Sequence, residues 1–177
     1  ARREPHGERP RLARIRPADH YDLYPAEDVI GLTMVHDLDA LPWLAGAAPR
    51  RLTARGATGA DGRWTDARAE IALDNGETWQ VDAAWTGPHR DVVSARGCGL
   101  ALGSQTGELL CGDDVEPLPG ADASYDAALA AEIGHFLDCV IHDRPSTELR
   151  LADAAAAVRL AAAVREALTT GESVDCH

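Results

Sequence analysis

Apolar residues at three- and four-residue steps mark the first long element. Between Asp28 and Leu44, residues Ile30, Met34, Val35, Leu38, Leu41 and Leu44 form one stripe, the pattern of a helix with a single buried face. Pro42 stands inside it. An interior proline removes the hydrogen bond to residue 38 and costs about 3 kcal/mol, so a kink or a restart is expected there. Ahead of this helix, Arg11 to Arg16 alternates only loosely and reads as a weak strand.

Past Gly46 and Pro49 the period shortens to two. Leu52 and Ala54 oppose Arg51, Thr53 and Arg55, and Ala67, Ala69, Ile71 and Leu73 alternate with Arg68 and Glu70. After Asn75-Gly76, residues Trp79, Val81, Ala83 and Trp85 alternate with Gln80 and Asp82. Asn-Gly between two alternating runs predicts a hairpin with a type I′ turn, whose central residues both need positive φ. Short strands are expected at 91–96, 99–103 and 107–111. Together they make a meander of about five or six antiparallel strands with one apolar and one polar face.

Two helices close the chain, over 124–142 and 151–168. The first carries the stripe Leu129, Ile133, Phe136, Leu137, Val140 and Ile141, with Asp122 or Ser124 placed to cap it; the second is alanine-rich and ends before Gly171. Strands followed by helices, without β-α-β alternation, predict an α+β fold. The expected form is an open, mainly antiparallel sheet with helices packed on one face, and no Rossmann domain in this chain. Residues 1–10, with Pro5, Gly7 and Pro10 among charges, read as a linker, and 11–177 as a single domain.

Composition narrows the functional classes. The chain has 177 residues, 45% of them hydrophobic, enough for a real core. No lysine occurs, so all 17 basic residues are arginines; against 29 carboxylates they leave a net charge of -12. That argues against a nucleic-acid partner, and the six arginines within residues 1–16 read as a solvated linker. No apolar run is long enough for a membrane span, and no signal core follows the N-terminal charges, so a cytoplasmic protein is expected. Cys98, Cys111, Cys139 and Cys176 form no C-x-x-C pair and are expected to be reduced thiols.

Few motifs carry chemistry. Gly97-Cys98-Gly99 through Gly103 is spaced G-x-G-x-x-x-G between strands, with no helix after it, which fits a turn better than a nucleotide cradle. His135, Cys139 and His142 share a helical face opposite the apolar stripe. They could hold zinc, but a solvated polar face is the plainer account, and no metal is expected. Trp79 and Trp85 read as core. His36, beside Asp37 and Asp39 and near the irregular loop 19–25, could serve as a general acid or base near neutral pH; a structural histidine fits the spacing equally well.

The segment Val35-His36-Asp37-Leu38-Asp39-Ala40-Leu41-Pro42-Trp43-Leu44-Ala45-Gly46 resembles a "VHDIDLLRWLLG" stretch of the Gfo/Idh/MocA oxidoreductases, the family of glucose-fructose oxidoreductase and inositol dehydrogenase. The Asn75-Gly76 hairpin, Arg96 to Gly99, Glu132 to Leu137, Arg144-Pro145, Asp153-Ala154 and Gly171 to Val174 follow in that family's order, over roughly residues 11–175. The resemblance implies a C-terminal substrate-binding and oligomerisation domain of an NAD(P)-dependent enzyme acting on a sugar, inositol or related polyol. It implies NAD or NADP held mainly by an upstream domain, and a homodimer or homotetramer formed through the open sheet face. On its own this chain is expected to be inactive. His36 matches the family's catalytic histidine, Thr33 a substrate-contacting position, and His89 and Arg90 a loop lining the site, where Arg90 would orient an anionic group. Leu32 stands where many members have an aspartate one turn before the histidine, and the family's E-K-P lysine has no counterpart. A non-catalytic sugar-binding or dimerisation module is the alternative reading.

Overall fold

The alternating runs pair as their pattern demands. The computed structural model describes residues 9–95, 98–103, 107–111, 114–117, 124–147 and 150–176. Strands β2 (Pro49–Thr58), β3 (Trp64–Leu73) and β4 (Thr78–Ala84) form an antiparallel meander. Ala67, Ala69, Ile71 and Leu73 of β3 and Val81 and Ala83 of β4 are buried on one face, under the helices. Asp66, Arg68, Glu70, Gln80 and Asp82 lie on the other. The turn between β3 and β4 differs from expectation. Gly76 has φ 86°, but Asn75 does not share the positive φ of a type I′ turn. The Gly76 amide donates to the Leu73 carbonyl and the Leu73 amide to Glu77 O, the arrangement of a type I turn closed by a left-handed glycine.

The remaining strands are β1 (Arg11–Ile15), β5 (Arg90–Ala95), β6 (Cys98–Gly103), β7 (Gly107–Cys111), β8 (Asp114–Pro117) and β9 (Val174–Asp175). Among the described residues they join one open nine-stranded sheet in the order β8-β7-β6-β5-β1-β4-β3-β2-β9. The expected five or six strands are thus too few. β8 and β9 are too short to show a period, and the weak β1 occupies the middle of the sheet. There it pairs antiparallel with β5 and parallel with β4, the one parallel pair among the described strands.

All the packed helices lie on the apolar face. After the short helix α1 (His20–Leu23), a π-helical turn over Ile30–Met34 runs into α2 (Val35–Ala45). Leu38 and Leu41 are fully buried, and Gly46 ends α2 in a left-handed conformation. Pro42 causes no restart: the helix runs through it. Burial of Leu38 and Leu41 on the turn before it holds the segment helical, and the irregularity sits upstream, in the π turn. Helix α4 (Leu151–Thr170) packs Leu160, Ala161, Val164 and Ala167 into the same core and ends at Gly171, φ 73°.

Helix α3 (Ser124–Ile141) is turned the other way. Among its described side chains the buried one is Cys139, on the face where the sequence suggests a solvated surface, while Phe136 and Ile141 are 60% and 74% exposed and the rest of the apolar stripe is also uncovered. Residues 118–123, including the capping position Asp122, lie outside the described residues. No described helix is long and apolar enough to cross a membrane.

Asp28 ties the π turn to α4. One carboxylate oxygen accepts from the Ile30 and Gly31 amides, and both accept from the Arg165 guanidinium at 2.7 and 2.9 Å. Burial pushes the Asp28 carboxyl up, but the arginine and the two amides outweigh it and hold it below the usual carboxylate range. The unfolded chain therefore binds this proton more readily. The stabilisation is complete above the ordinary aspartate pKa and is lost as the pH falls through the lowered folded value. In urea unfolding, the stability gap between wild type and Asp28→Asn is expected to be widest at neutral pH and to narrow on acidification; a gap that grows toward acid would refute the assignment.

Candidate functional site

The junction of π turn and α2 presents His36 at the start of a helix whose other face is locked in the core. His36 is exposed, and among the described residues no hydrogen bond holds its ring. π-Helical turns of this kind recur at functional sites, because the extra residue rotates the side chains that follow. Leu32, on the same turn, is partly buried and packs against the core.

Behind His36 runs a chain of charges. Arg14, on β1, donates through Nε and Nη2 to Asp37 Oδ1 at 3.0 and 2.9 Å. Its Nη1 lies 3.7 Å from Asp91 Oδ2 on β5, and Arg16 Nη1 reaches Asp91 Oδ1 at 2.6 Å. His89 Nε2 stands 3.6 Å from Asp91. Strand alternation explains the gathering: Leu12, Arg14 and Arg16 share the helix-side face of β1, as do Asp91, Val93 and Ala95 on β5. Asp37 is 5% exposed, and its Oδ2 is buried without a hydrogen-bond partner. Burial raises its carboxyl above the ordinary range; Arg14 opposes that, Asp91 reinforces it, and His36 opposes it. This network pins the first turn of α2 to the two central strands and so holds the backbone that carries His36.

The other expected site residues fall in different places. Thr33 is buried, and its Oγ1 accepts the Trp85 indole N–H at 2.8 Å, so it fixes Trp85 beneath the π turn. The His20 ring lies near Trp85 and Tyr24, with centroids 6.2 and 5.6 Å away, and its buried Nδ1 has no hydrogen-bond partner. His89 is brought to the His36 side through Asp91. Arg90 pairs in register with Ile15 and, one residue out of phase with Asp91, belongs to the open face. Trp79 and Trp85 are buried, as expected, whereas Trp43 is 82% exposed.

On α3, His135 Nε2 contacts Ser146 Oγ at 2.8 Å and Cys139 Sγ at 3.6 Å, while His142 turns to Asp138. No group of three or more metal-binding side chains gathers among the described residues. The sequence reading missed the Arg14–Asp37–Asp91–Arg16 network. Its one local trace is a pair of arginines at inward positions of an apolar strand, which become legible only once β5 is known to lie beside β1.

Solved structures share this fold. No family profile matches the sequence, and no curated protein is similar to it. Among solved structures, UDP-N-acetylglucosamine 3-dehydrogenase GnnA from Acidithiobacillus ferrooxidans superposes with a TM-score of 0.69 at 23% identity, over 92% of this chain and 53% of that one. Scyllo-inositol dehydrogenase from Lactobacillus casei, solved with bound NAD(H) and scyllo-inositol, gives 0.72 at 13% identity, over 97% and 57%. Myo-inositol 2-dehydrogenase from Lactobacillus plantarum gives 0.71 at 15% identity, over 98% and 57%. The chain has the fold of the Gfo/Idh/MocA C-terminal domain. It spans little more than half the length of these structures.

Proposed function

We propose that this chain is the substrate-facing part of an NAD(P)-dependent oxidoreductase acting on a sugar, inositol or related polyol. NAD or NADP would be held mainly by a domain outside these 177 residues. The observation that carries the reading is His36: an imidazole ring with no hydrogen-bonding partner among the described residues, presented to solvent on a helix that a partly buried ion-pair network holds in place. Its neutral imidazole takes the proton of the reacting hydroxyl as the carbinol carbon becomes a carbonyl, and returns it in the reverse direction. The nicotinamide, when bound, supplies the hydride acceptor or donor.

The glycine-bearing segment enters strand β6, and the next described element is strand β7. The chain's own part is to bind and orient the substrate and to move its proton. His89, steadied by Asp91, reaches a neighbouring hydroxyl, and Thr33 acts by positioning Trp85. Arg90, on the opposite face, is assigned to the self-association surface, where a second copy meets the open sheet in a homodimer or homotetramer.

Calorimetry of the isolated chain tests the division of labour. NADH and NADPH are expected to show no micromolar binding. A clear micromolar affinity for either would place the cofactor site on this chain and overturn the reading.

A further inference from the structure

Strand pairing brings together two cysteines whose spacing in the sequence shows no pair. Cys98 opens β6 and Cys111 closes β7, and the antiparallel register sets them directly opposite each other. Ladder partners in an antiparallel pair share one face of the sheet, with Cα atoms about 4.5 or 5.5 Å apart according to whether the pair exchanges hydrogen bonds. Both separations fall within the roughly 4.4–6.8 Å that a disulfide spans. Across β6, Cys98 stands opposite Ala95 of β5. The two cysteines therefore belong to the helix-side face, with Asp91, Val93 and Ala95. A second copy meeting the open face would leave that row uncovered. Cys139 lies on α3, and Cys176 follows β9, at the other end of the sheet order from β7.

We propose that Cys98 and Cys111 form a reversible dithiol–disulfide site, oxidised by a small-molecule disulfide such as glutathione disulfide, whose bond clamps β6 to β7. One cysteine thiolate attacks a sulfur of glutathione disulfide, forms a mixed disulfide and expels one glutathione thiolate. The second cysteine thiolate then attacks the protein sulfur of that mixed disulfide, closes the Cys98–Cys111 bond and expels the other glutathione thiolate. The cysteine pair gives up two electrons and two protons, and glutathione disulfide takes them up as two molecules of glutathione. Strand pairing favours the second step, because the ladder has already met the entropic cost of bringing the two positions together. The core that α2 and α4 make with the sheet does not include this pair, so both redox forms stay folded. The reduced thiols expected from the sequence are one state of the couple. The site stands independently of the functional reading above.

The test equilibrates the folded 177-residue chain in glutathione buffers from fully reduced to strongly oxidised, blocks the remaining thiols with N-ethylmaleimide and cleaves after glutamate for mass spectrometry. Glu108 separates the two cysteines, and Glu116 and Glu132 separate both from Cys139, so a disulfide appears as two linked peptides. In oxidised buffer the expected product links Cys98 to Cys111 within one chain, leaves Cys139 and Cys176 alkylated, and reverts with dithiothreitol. Oxidation is expected to raise the urea midpoint of the wild type by roughly 1 M. Cys98→Ser and Cys111→Ser are each expected to abolish that rise. Cys98 and Cys111 both alkylated after oxidation, or each carrying glutathione without a link, overturn the proposal. So does a link to Cys139, to Cys176 or to a second chain, because the register would then not have chosen the partner. A Cys98–Cys111 link that leaves the urea midpoint unmoved overturns the clamp.

Discussion

On the proposed function, replacing His36 by alanine in the complete oxidoreductase that would contain this chain is expected to lower kcat by about 10²- to 10⁴-fold, the usual contribution of a positioned general acid or base. The fall should appear in kcat more than in KM, because the ring acts on the proton in transit and contributes little to ground-state binding. His36 is exposed, and its ring makes no hydrogen bond to the described residues, so the substitution should leave folding intact. Turnover within twofold of wild type would remove His36 from the mechanism.

A second large effect is expected at Leu38, on the opposite side of the same helix. Its side chain is fully buried in the core that α2 and α4 make with the sheet. Truncation to alanine deletes buried methyl groups and leaves a cavity between rigid layers, at a cost of about 2–5 kcal/mol. Urea unfolding should show a lower midpoint with an unchanged slope, the mark of lost packing in an intact fold. Leu44→Ala, at a position 37% exposed, is the control and should cost well under half as much. Equal losses at the two positions would show that α2 is not held by the core face assigned here.

Much of the fold was legible because a buried face imposes its period on an element. The two-residue alternation through Ala67, Ala69, Ile71 and Leu73, and again through Trp79, Val81 and Ala83, marks both the strands and the side on which the core lies. The same argument found α2, α4 and the left-handed ends at Gly46 and Gly171. It failed where the local pattern is silent. β8 and β9 are too short to carry a period, and the type I′ turn expected at Asn75-Gly76 gave way to a longer loop. For α3, amphipathicity distinguishes two faces without saying which of them meets the rest of the chain; Cys139 is inside and Phe136 outside.

The candidate site divides in the same way. His36 was visible through its neighbours on one helix and through a resemblance that covers them. Thr33, His89 and Arg90 could be named, but their surroundings could not. A one-residue offset on β5 sends Asp91 and Arg90 to opposite faces, and the Thr33 hydroxyl accepts from the Trp85 indole.

From its sequence alone, then, this chain determines an α+β layer, the inward side of most of its strands and helices, and a histidine on a helix. Only the tertiary structure decides that β1 lies between β4 and β5, that Arg14 reaches Asp37 and Asp91, and that Trp43 stands uncovered on the His36 face. The reason is physical. Periodicity records where a side chain points within its own element and is set by local geometry. The choice of neighbour rests on small free-energy differences among arrangements of distant segments, which no local pattern encodes.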